Sequence, residues 1–106
     1  MRLISLFLLS LFILAQSASA RPEVVIPGTV YYSDEIEEIN GVNDIVGEKN
    51  FEEVYINYTY FEAVYDKKER VSIIREFERG ELIRTETYKY GSDGRLLKKE
   101  VVPKED

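Results

Sequence analysis

Three polar turn segments, evenly spaced through the second half of the chain, most strongly constrain how this sequence folds. They begin at Asp66, Glu78 and Gly91, and the runs between them are rich in valine, isoleucine, tyrosine, threonine and phenylalanine. Such runs, separated by short polar segments, are typical of strands joined by tight hairpins. The sequence therefore predicts a mainly β fold, an antiparallel meander of about four strands over residues 54–65, 70–77, 82–90 and 95–102.

A two-residue loop in each hairpin predicts the strand register, because directly opposed residues share a face of the sheet. In that register Val64, Val71 and Tyr88 lie on one face, which collects apolar residues from all four strands. Phe61 and Ala63 lie on the other face, where apolar and polar residues are mixed. Neither face is wholly apolar, so we expect the sheet to be partly covered on both sides.

The same register places Arg75 directly opposite Arg84, with Tyr60 beside them. Like charges opposed on a sheet are unfavourable unless something neutralises them. Guanidinium groups bind planar oxyanions and stack on rings, so one interpretation is a ligand-binding pocket for a carboxylate or another anion. The alternative is an ion-pair ladder in which Glu62 and Glu86 neutralise the arginines, an arrangement that is routine on a half-exposed sheet.

The first twenty residues have the pattern of a secretory signal peptide. Arg2 precedes an apolar run from Leu3 to Ala15, and Ala18 and Ala20 supply the small residues of a cleavage site. The run is shorter than the ~20 residues that span a bilayer, so we expect cleavage and no integral membrane segment afterwards. The protein is expected to be exported, periplasmic or extracellular, and the lack of cysteine in an exported chain favours a bacterial source.

Residues 21–53 form an acidic, irregular segment ahead of the meander. From residue 21 to residue 65 there are ten acidic residues against Arg21 and Lys49. We expect a short strand near Thr29–Tyr32, a helical turn near Ser33–Ile39, partial coverage of the sheet by this segment, and a tail over residues 103–106. The acidic cluster at residues 34–38 does not match a calcium-binding loop, so we interpret it as solvated surface.

The composition excludes several chemistries. The 106 residues contain no His, Cys or Trp, which leaves no thiolate nucleophile, no disulfide, no ordinary zinc site and no catalytic triad of the usual kind. A net charge of −6 argues against nucleic acid as a partner. We expect no cofactor and no enzymatic activity, and a small hydrolase that uses two carboxylates is the least favoured alternative.

One hairpin carries a family resemblance. The segment Tyr90-Gly91-Ser92-Asp93-Gly94-Arg95-Leu96 resembles the Tyr-Asp-x-x-Gly-Arg-Leu signature of YD repeats in Rhs-type bacterial surface and secreted proteins. Tyr65-Asp66 keeps the Tyr-Asp pair, whereas Gly91 replaces the aspartate in the last copy. The resemblance covers about residues 60–102. It implies β-hairpins of a bacterial envelope or secreted type, carries no functional residues across, and competes with the interpretation of an ordinary β-meander.

Two functions remain open at this point. The leading hypothesis is a non-catalytic binding or envelope-associated module that uses its sheet face or an exposed strand edge, by strand addition to a protein partner. The alternative is a structural protein that forms a homo-oligomer by pairing strand edges. Several tyrosines of the meander are interpreted either as a binding platform or, preferably, as packing of the sheet: Tyr55, Tyr58, Tyr60, Tyr65, Tyr88 and Tyr90.

Overall fold

A computed structural model of the chain describes residues 21–104, which form a five-stranded antiparallel sheet with a small hairpin packed on one face. The predicted signal peptide, with Ala18 and Ala20, lies outside the described residues, as do residues 105 and 106. Over residues 21–104 no helix is long and apolar enough to cross a bilayer. In chain order the elements are β1 Val30–Ser33, β2 Ile36–Ile39, β3 Val42–Ile45, α1 Phe51–Val54, β4 Thr59–Tyr65, β5 Val71–Glu78, β6 Glu81–Tyr90 and β7 Leu96–Pro103.

The predicted antiparallel meander is confirmed, with β4, β5, β6 and β7 adjacent in that order. The first strand of the meander, β4, begins at Thr59 rather than at residue 54, because a short helix occupies Phe51–Val54. The sequence Asn50-Phe51-Glu52-Glu53 favours this helix, since the Glu53 carboxylate accepts a hydrogen bond of 2.8 Å from the backbone N–H of Asn50. The last strand extends through Pro103, and Lys104 N–H donates to Ile83 O at 2.7 Å, so the predicted tail at 103–106 was wrong for these two residues.

The acidic segment contributes three strands. β1 pairs with β4 and adds a fifth strand to the sheet, close to the strand predicted near Thr29–Tyr32. The helical turn predicted over Ser33–Ile39 was wrong, because residues 36–39 form β2 and pair with β3. Asn40 and Gly41 adopt positive φ angles of 54° and 85°, the conformation that closes a tight hairpin and that no helix contains.

The β2–β3 hairpin covers one face of the sheet and completes the core. Ile45 of β3 is fully buried, and it packs with Tyr65 and Ile74 of the sheet, which are 1% exposed. The sequence analysis placed Val71 and Tyr88 on the face of Val64, whereas the structure buries both of them with Phe61 and Ala63. The expectation was wrong because β-bulges move side chains from one face to the other. The core comprises Val25, Tyr31, Ile45, Phe61, Ala63, Tyr65, Val71, Ile74 and Tyr88.

Bulges and loop lengths set the register. The turn between β5 and β6 is the two-residue loop Arg79-Gly80, so the predicted pairing of Phe77 with Leu82 is confirmed there. Beyond it, an irregularity between Glu76 and Phe77 shifts the pairing by one residue. The other two hairpins have longer loops, over residues 66–70 and 91–95. Along most of their length, each residue therefore faces a partner two positions from the predicted one; Arg75, for example, is opposite Glu62 and not Tyr60.

Candidate functional site

The structure separates the two arginines that the sequence analysis placed opposite each other. Arg75 pairs with Thr85 and Arg84 pairs with Glu76, because the bulge in β5 shifts the register by one residue. The one-residue shift also places Arg75 and Arg84 on opposite faces of the sheet. The expectation that they are directly opposed was wrong, and they do not share a pocket.

Each of these arginines has its own carboxylate. Arg75 donates to Glu62 Oε1 at 3.0 Å across the β4–β5 pair. Arg84 lies 2.9 Å from Glu86 Oε2 and 3.6 Å from Glu76 Oε1. These pairs match the alternative interpretation, in which acidic neighbours neutralise the arginines along the sheet.

Tyr60 lies in an aromatic cluster on the face away from the hairpin, the face that it shares with Arg75. Its ring stacks on Phe77 with centroids 4.9 Å apart, and Tyr32 and Phe51 lie within 6.5 Å of it. Only 6% of Tyr60 is exposed. Burial raises the pKa of its hydroxyl, with a further contribution from the charge of Glu62. Tyr60 therefore packs the sheet, and its covered ring is inaccessible to a ligand.

A buried carboxylate, that of Glu86, connects the hairpin to the sheet. Glu86 is 2% exposed, and its Oε1 accepts hydrogen bonds from the Asn43 side-chain amide at 2.8 Å and from the Tyr88 hydroxyl. Burial alone would raise its pKa, but these hydrogen bonds and the charges of Arg84 and Lys99 bring the pKa below its ordinary value of 4.5. The group is ionised at neutral pH and fully partnered, so it joins the two layers.

The acidic residues of the first half show no metal centre. Asp34 lies 3.7 Å from Lys49, and Asp44 lies 3.3 Å from Arg21. In the part of the chain that the structure describes, no three acidic, histidine or cysteine side chains are grouped closely enough to hold a metal ion.

A cleft of about 530 Å³ opens between the β2–β3 hairpin and the two long turns of the meander. We name it the arginine cleft, after three of the residues that line it, Arg21, Arg70 and Arg95. The guanidinium of Arg21 lies over the Tyr65 ring at 4.4 Å, and that of Arg70 lies over the Tyr90 ring at 4.3 Å. Its volume is in the range of pockets that bind small molecules.

The sequence analysis missed this cleft because its three arginines are far apart in the chain. Arg70 and Arg95 are the last residues of equivalent five-residue loops, and each loop follows a tyrosine that ends a strand, Tyr65 or Tyr90. That recurrence was the available signal. Arg21 joins them only because the first described residues fold back over Tyr65.

The outer edge of β7 is open. Lys104 N–H donates to Ile83 O, and hydrogen-bonding direction alternates along an antiparallel pair, so Lys99, Val101 and Pro103 direct their backbone groups away from β6. Pro103 has no N–H, which leaves Lys99 and Val101 as the available donors. In residues 21–104 no strand pairs with this edge.

The opposite edge of the sheet is partly closed. The backbone N–H of Lys49 donates to Tyr32 O at 2.8 Å and forms an isolated antiparallel bridge on the outer side of β1. β1 is also half the length of β7, four residues against eight. The two edges therefore differ in their capacity to accept another strand.

Comparison of the chain with protein-family models, with curated proteins and with solved structures finds no match. The geometry of the molecule itself is therefore the basis for its proposed function.

Proposed function

We propose that this chain is an exported, non-catalytic binding module that captures an extended polypeptide segment as an additional strand on β7. The observation that supports the proposal is the contrast between the two sheet edges: Lys49 bridges the outer side of β1, while β7 presents eight residues with no strand beside them in the described chain. Strand addition uses backbone hydrogen bonds for affinity and side-chain contacts for specificity. The pattern of residues 1–20 supports an exported, extracytoplasmic setting.

The charge along β7 favours an acidic partner segment. Lys98 and Lys99 lie within the strand, Arg95 and Lys104 flank it, and Glu100 is the one acidic residue among them. Opposite charges on paired strands stabilise the pair, whereas like charges directly opposed destabilise it. An extended segment that carries glutamate or aspartate is therefore the partner that this edge fits.

Symmetric pairing of two β7 strands is the alternative use of this edge, and its charge contacts depend on the register. A pair centred on Lys99 opposes the two copies of that lysine, and a pair centred on Glu100 opposes the two glutamates. A pair centred on Val101 places Lys98 of each copy opposite Lys104 of the other. The pair centred on Lys99 also places Lys98 opposite Glu100, and a pair centred on Val102 places Glu100 opposite Lys104. Some registers of self-pairing therefore bring opposite charges together, and the experiment has to distinguish self-pairing from capture of an acidic segment.

The test is a titration of the isotope-labelled protein with a synthetic hexapeptide of alternating glutamate and valine, acetylated and amidated at its ends. We expect peptide binding to slow the amide hydrogen exchange of Lys99 and Val101, because their N–H groups become hydrogen-bonded. Val101→Pro removes one outward N–H without breaking a bond to β6 and should abolish binding. The matched control Val101→Thr keeps the N–H and should bind as the wild type does.

Two results would contradict the proposal. One is the absence of any exchange or chemical-shift change at β7 on addition of the peptide. The other is protection of Lys99 and Val101 that needs no peptide and grows with protein concentration, which would assign this edge to self-assembly instead.

A further inference from the structure

The geometry points to a carboxylate-binding site in the arginine cleft, one that takes the C-terminal carboxylate of the polypeptide added to β7. This inference rests on the proposed function, because the polypeptide must lie on the β7 edge to reach the cleft. It specifies that the protein recognises the C-terminal end of its partner chain.

The arginine cleft is continuous with the open edge of β7. Leu96 lines the arginine cleft and is also the first residue of β7, and Arg95 immediately precedes it. A segment that pairs with β7 in antiparallel fashion runs from Pro103 towards Leu96. Its C-terminal end therefore arrives at the cleft, whereas a segment in the middle of a longer chain has to continue past it.

The arginine side chains are arranged to receive an oxyanion. Arg70 uses its Nε to hold Asp66 Oδ2 at 2.9 Å, and within residues 21–104 its two terminal nitrogens have no hydrogen-bond acceptor. The Arg95 side chain is 74% exposed, and within residues 21–104 its one ion pair is with Asp93, at 3.7 Å. Arg70, held in place by stacking on Tyr90 and by the bond from its Nε, retains a pair of donors for two-pronged binding of a carboxylate.

Two carboxyl groups at the cleft, those of Asp44 and Asp66, are already engaged by the protein, while the Glu69 carboxylate lines the cleft with no ion pair within residues 21–104. Asp44 Oδ1 accepts hydrogen bonds from the Tyr65 hydroxyl at 2.5 Å and from Ile45 N–H at 2.8 Å, and its Oδ2 faces Arg21. Asp66 accepts from two backbone N–H groups of its own loop, besides Arg70 Nε. Arg70 and Arg95 therefore retain donors that an incoming anion can use, whereas Arg21 already donates from one terminal nitrogen to Glu69 O at 2.8 Å and faces Asp44 with its Nε.

The walls of the cleft indicate what the carboxylate is attached to. Val71 is buried, and Leu96 and Tyr90 are half-buried with apolar surface towards the cleft. A carboxylate beside a branched aliphatic side chain uses both the guanidinium groups and this apolar wall. A polypeptide that ends in valine, leucine or isoleucine has that chemistry.

The experiment compares three probes in titrations of the folded protein followed by nuclear magnetic resonance. The first is the glutamate–valine hexapeptide with a free C-terminal valine, the second is the same peptide with a C-terminal amide, and the third is N-acetylvaline. We expect the free acid to bind at least about tenfold more tightly than the amide, since charge-assisted hydrogen bonds are lost in the amide. N-acetylvaline should bind far more weakly than either peptide.

Two matched variants test whether Arg95 contacts the C-terminal carboxylate of the peptide. Arg95→Gln should lower the affinity for the free acid about tenfold more than it lowers the affinity for the amide, because Arg95 also contributes to the positive charge along β7. Arg79→Gln makes the same change of charge in the turn between β5 and β6, away from the cleft, and should change neither affinity. Arg95 is mostly exposed, so its replacement leaves the fold intact.

The outcomes separate this inference from the proposed function. Equal affinities for acid and amide would overturn the carboxylate site and leave strand addition standing. Failure of both peptides to bind would overturn the proposed function and this inference with it. Tight binding of N-acetylvaline, with shifts at Leu96 and Tyr90 and none at Lys99 and Val101, would assign the cleft to a small carboxylic acid instead.

Discussion

Replacement of Glu86 by glutamine tests whether the buried carboxylate holds the β2–β3 hairpin on the sheet. Glutamine has nearly the same shape, so the change removes the charge without opening a cavity. Glu86 accepts hydrogen bonds from Asn43 and Tyr88, and Arg84 lies 2.9 Å from its other oxygen. All of these interactions weaken when the acceptor becomes neutral.

The magnitude follows from those contacts. Two charge-assisted hydrogen bonds that become neutral lose about 1 kcal/mol each, and the partly exposed pair with Arg84 contributes about 0.5–1 kcal/mol. We therefore expect Glu86→Gln to lower the free energy of unfolding by about 2–3 kcal/mol. For a domain of this size that corresponds to a Tm lower by roughly 10–20 °C. Glu86→Ala, which leaves Asn43 and Tyr88 buried without an acceptor, should cost about 3–5 kcal/mol.

The assay is equilibrium urea unfolding followed by circular dichroism, with Glu76→Gln as the matched control. Glu76 contacts the same arginine at 3.6 Å and carries no such network, so its replacement should cost less than about 1 kcal/mol. A loss for Glu86→Gln no larger than that for Glu76→Gln would refute the reasoning, because the network would then contribute nothing beyond an ordinary surface pair.

The pH dependence gives a second readout of the same group. The folded-state pKa of Glu86 lies below the ordinary value of 4.5 that applies to the unfolded chain. Its ionisation therefore stabilises the protein above that value, and the contribution is lost as the pH falls through the folded-state pKa. The difference in the free energy of unfolding between wild type and Glu86→Gln should be full above pH 4.5 and shrink as the pH falls below it. A difference that stays constant over this range would contradict the assignment.

Three further predictions concern the hairpin and the turns. Ile45→Ala should cost about 2–5 kcal/mol in urea unfolding, whereas Ile39→Ala, at a position that is 60% exposed, should cost less than about 0.5 kcal/mol. Equal losses would show that the hairpin does not cover the sheet. Glu69→Gly should raise the stability by about 0.5–1 kcal/mol, because Glu69 has a φ of 63°. Gly80→Ala should lower it by about 1–2 kcal/mol, because Gly80 has a φ of 78°, and an unchanged Tm would contradict that conformation.

The class of fold and the positions of its hairpins could be predicted because both depend on local chemistry. Runs of β-branched and aromatic residues favour extended backbone, and a glycine such as Gly80 accommodates the positive φ that a two-residue turn requires. The strands of the meander were therefore placed within a few residues of their observed bounds, apart from the start of β4. The lack of histidine and cysteine likewise limits the available chemistry, and composition alone is enough to establish that limit.

The register could not be predicted, because it depends on loops and bulges whose energies are decided by packing. A bulge between Glu76 and Phe77 shifts β5 by one residue relative to β6, and a shift of one residue exchanges the two faces of a strand. That single irregularity separates Arg75 from Arg84 and gives each its own carboxylate. The predicted pocket depended on a register that the core does not favour.

The sequence by itself determined a β-meander and the positions of its three hairpins, because strand and turn propensities act over a few neighbouring residues. Only the tertiary structure decided that the acidic segment supplies β1 and a covering hairpin, with Ile45 and Asn43 buried against the sheet. It also decided that Arg21, Arg70 and Arg95 converge on one cleft beside an open edge. These features arise from contacts between residues that are tens of positions apart in the chain. Such contacts stabilise the protein only once the hairpin has packed on the sheet.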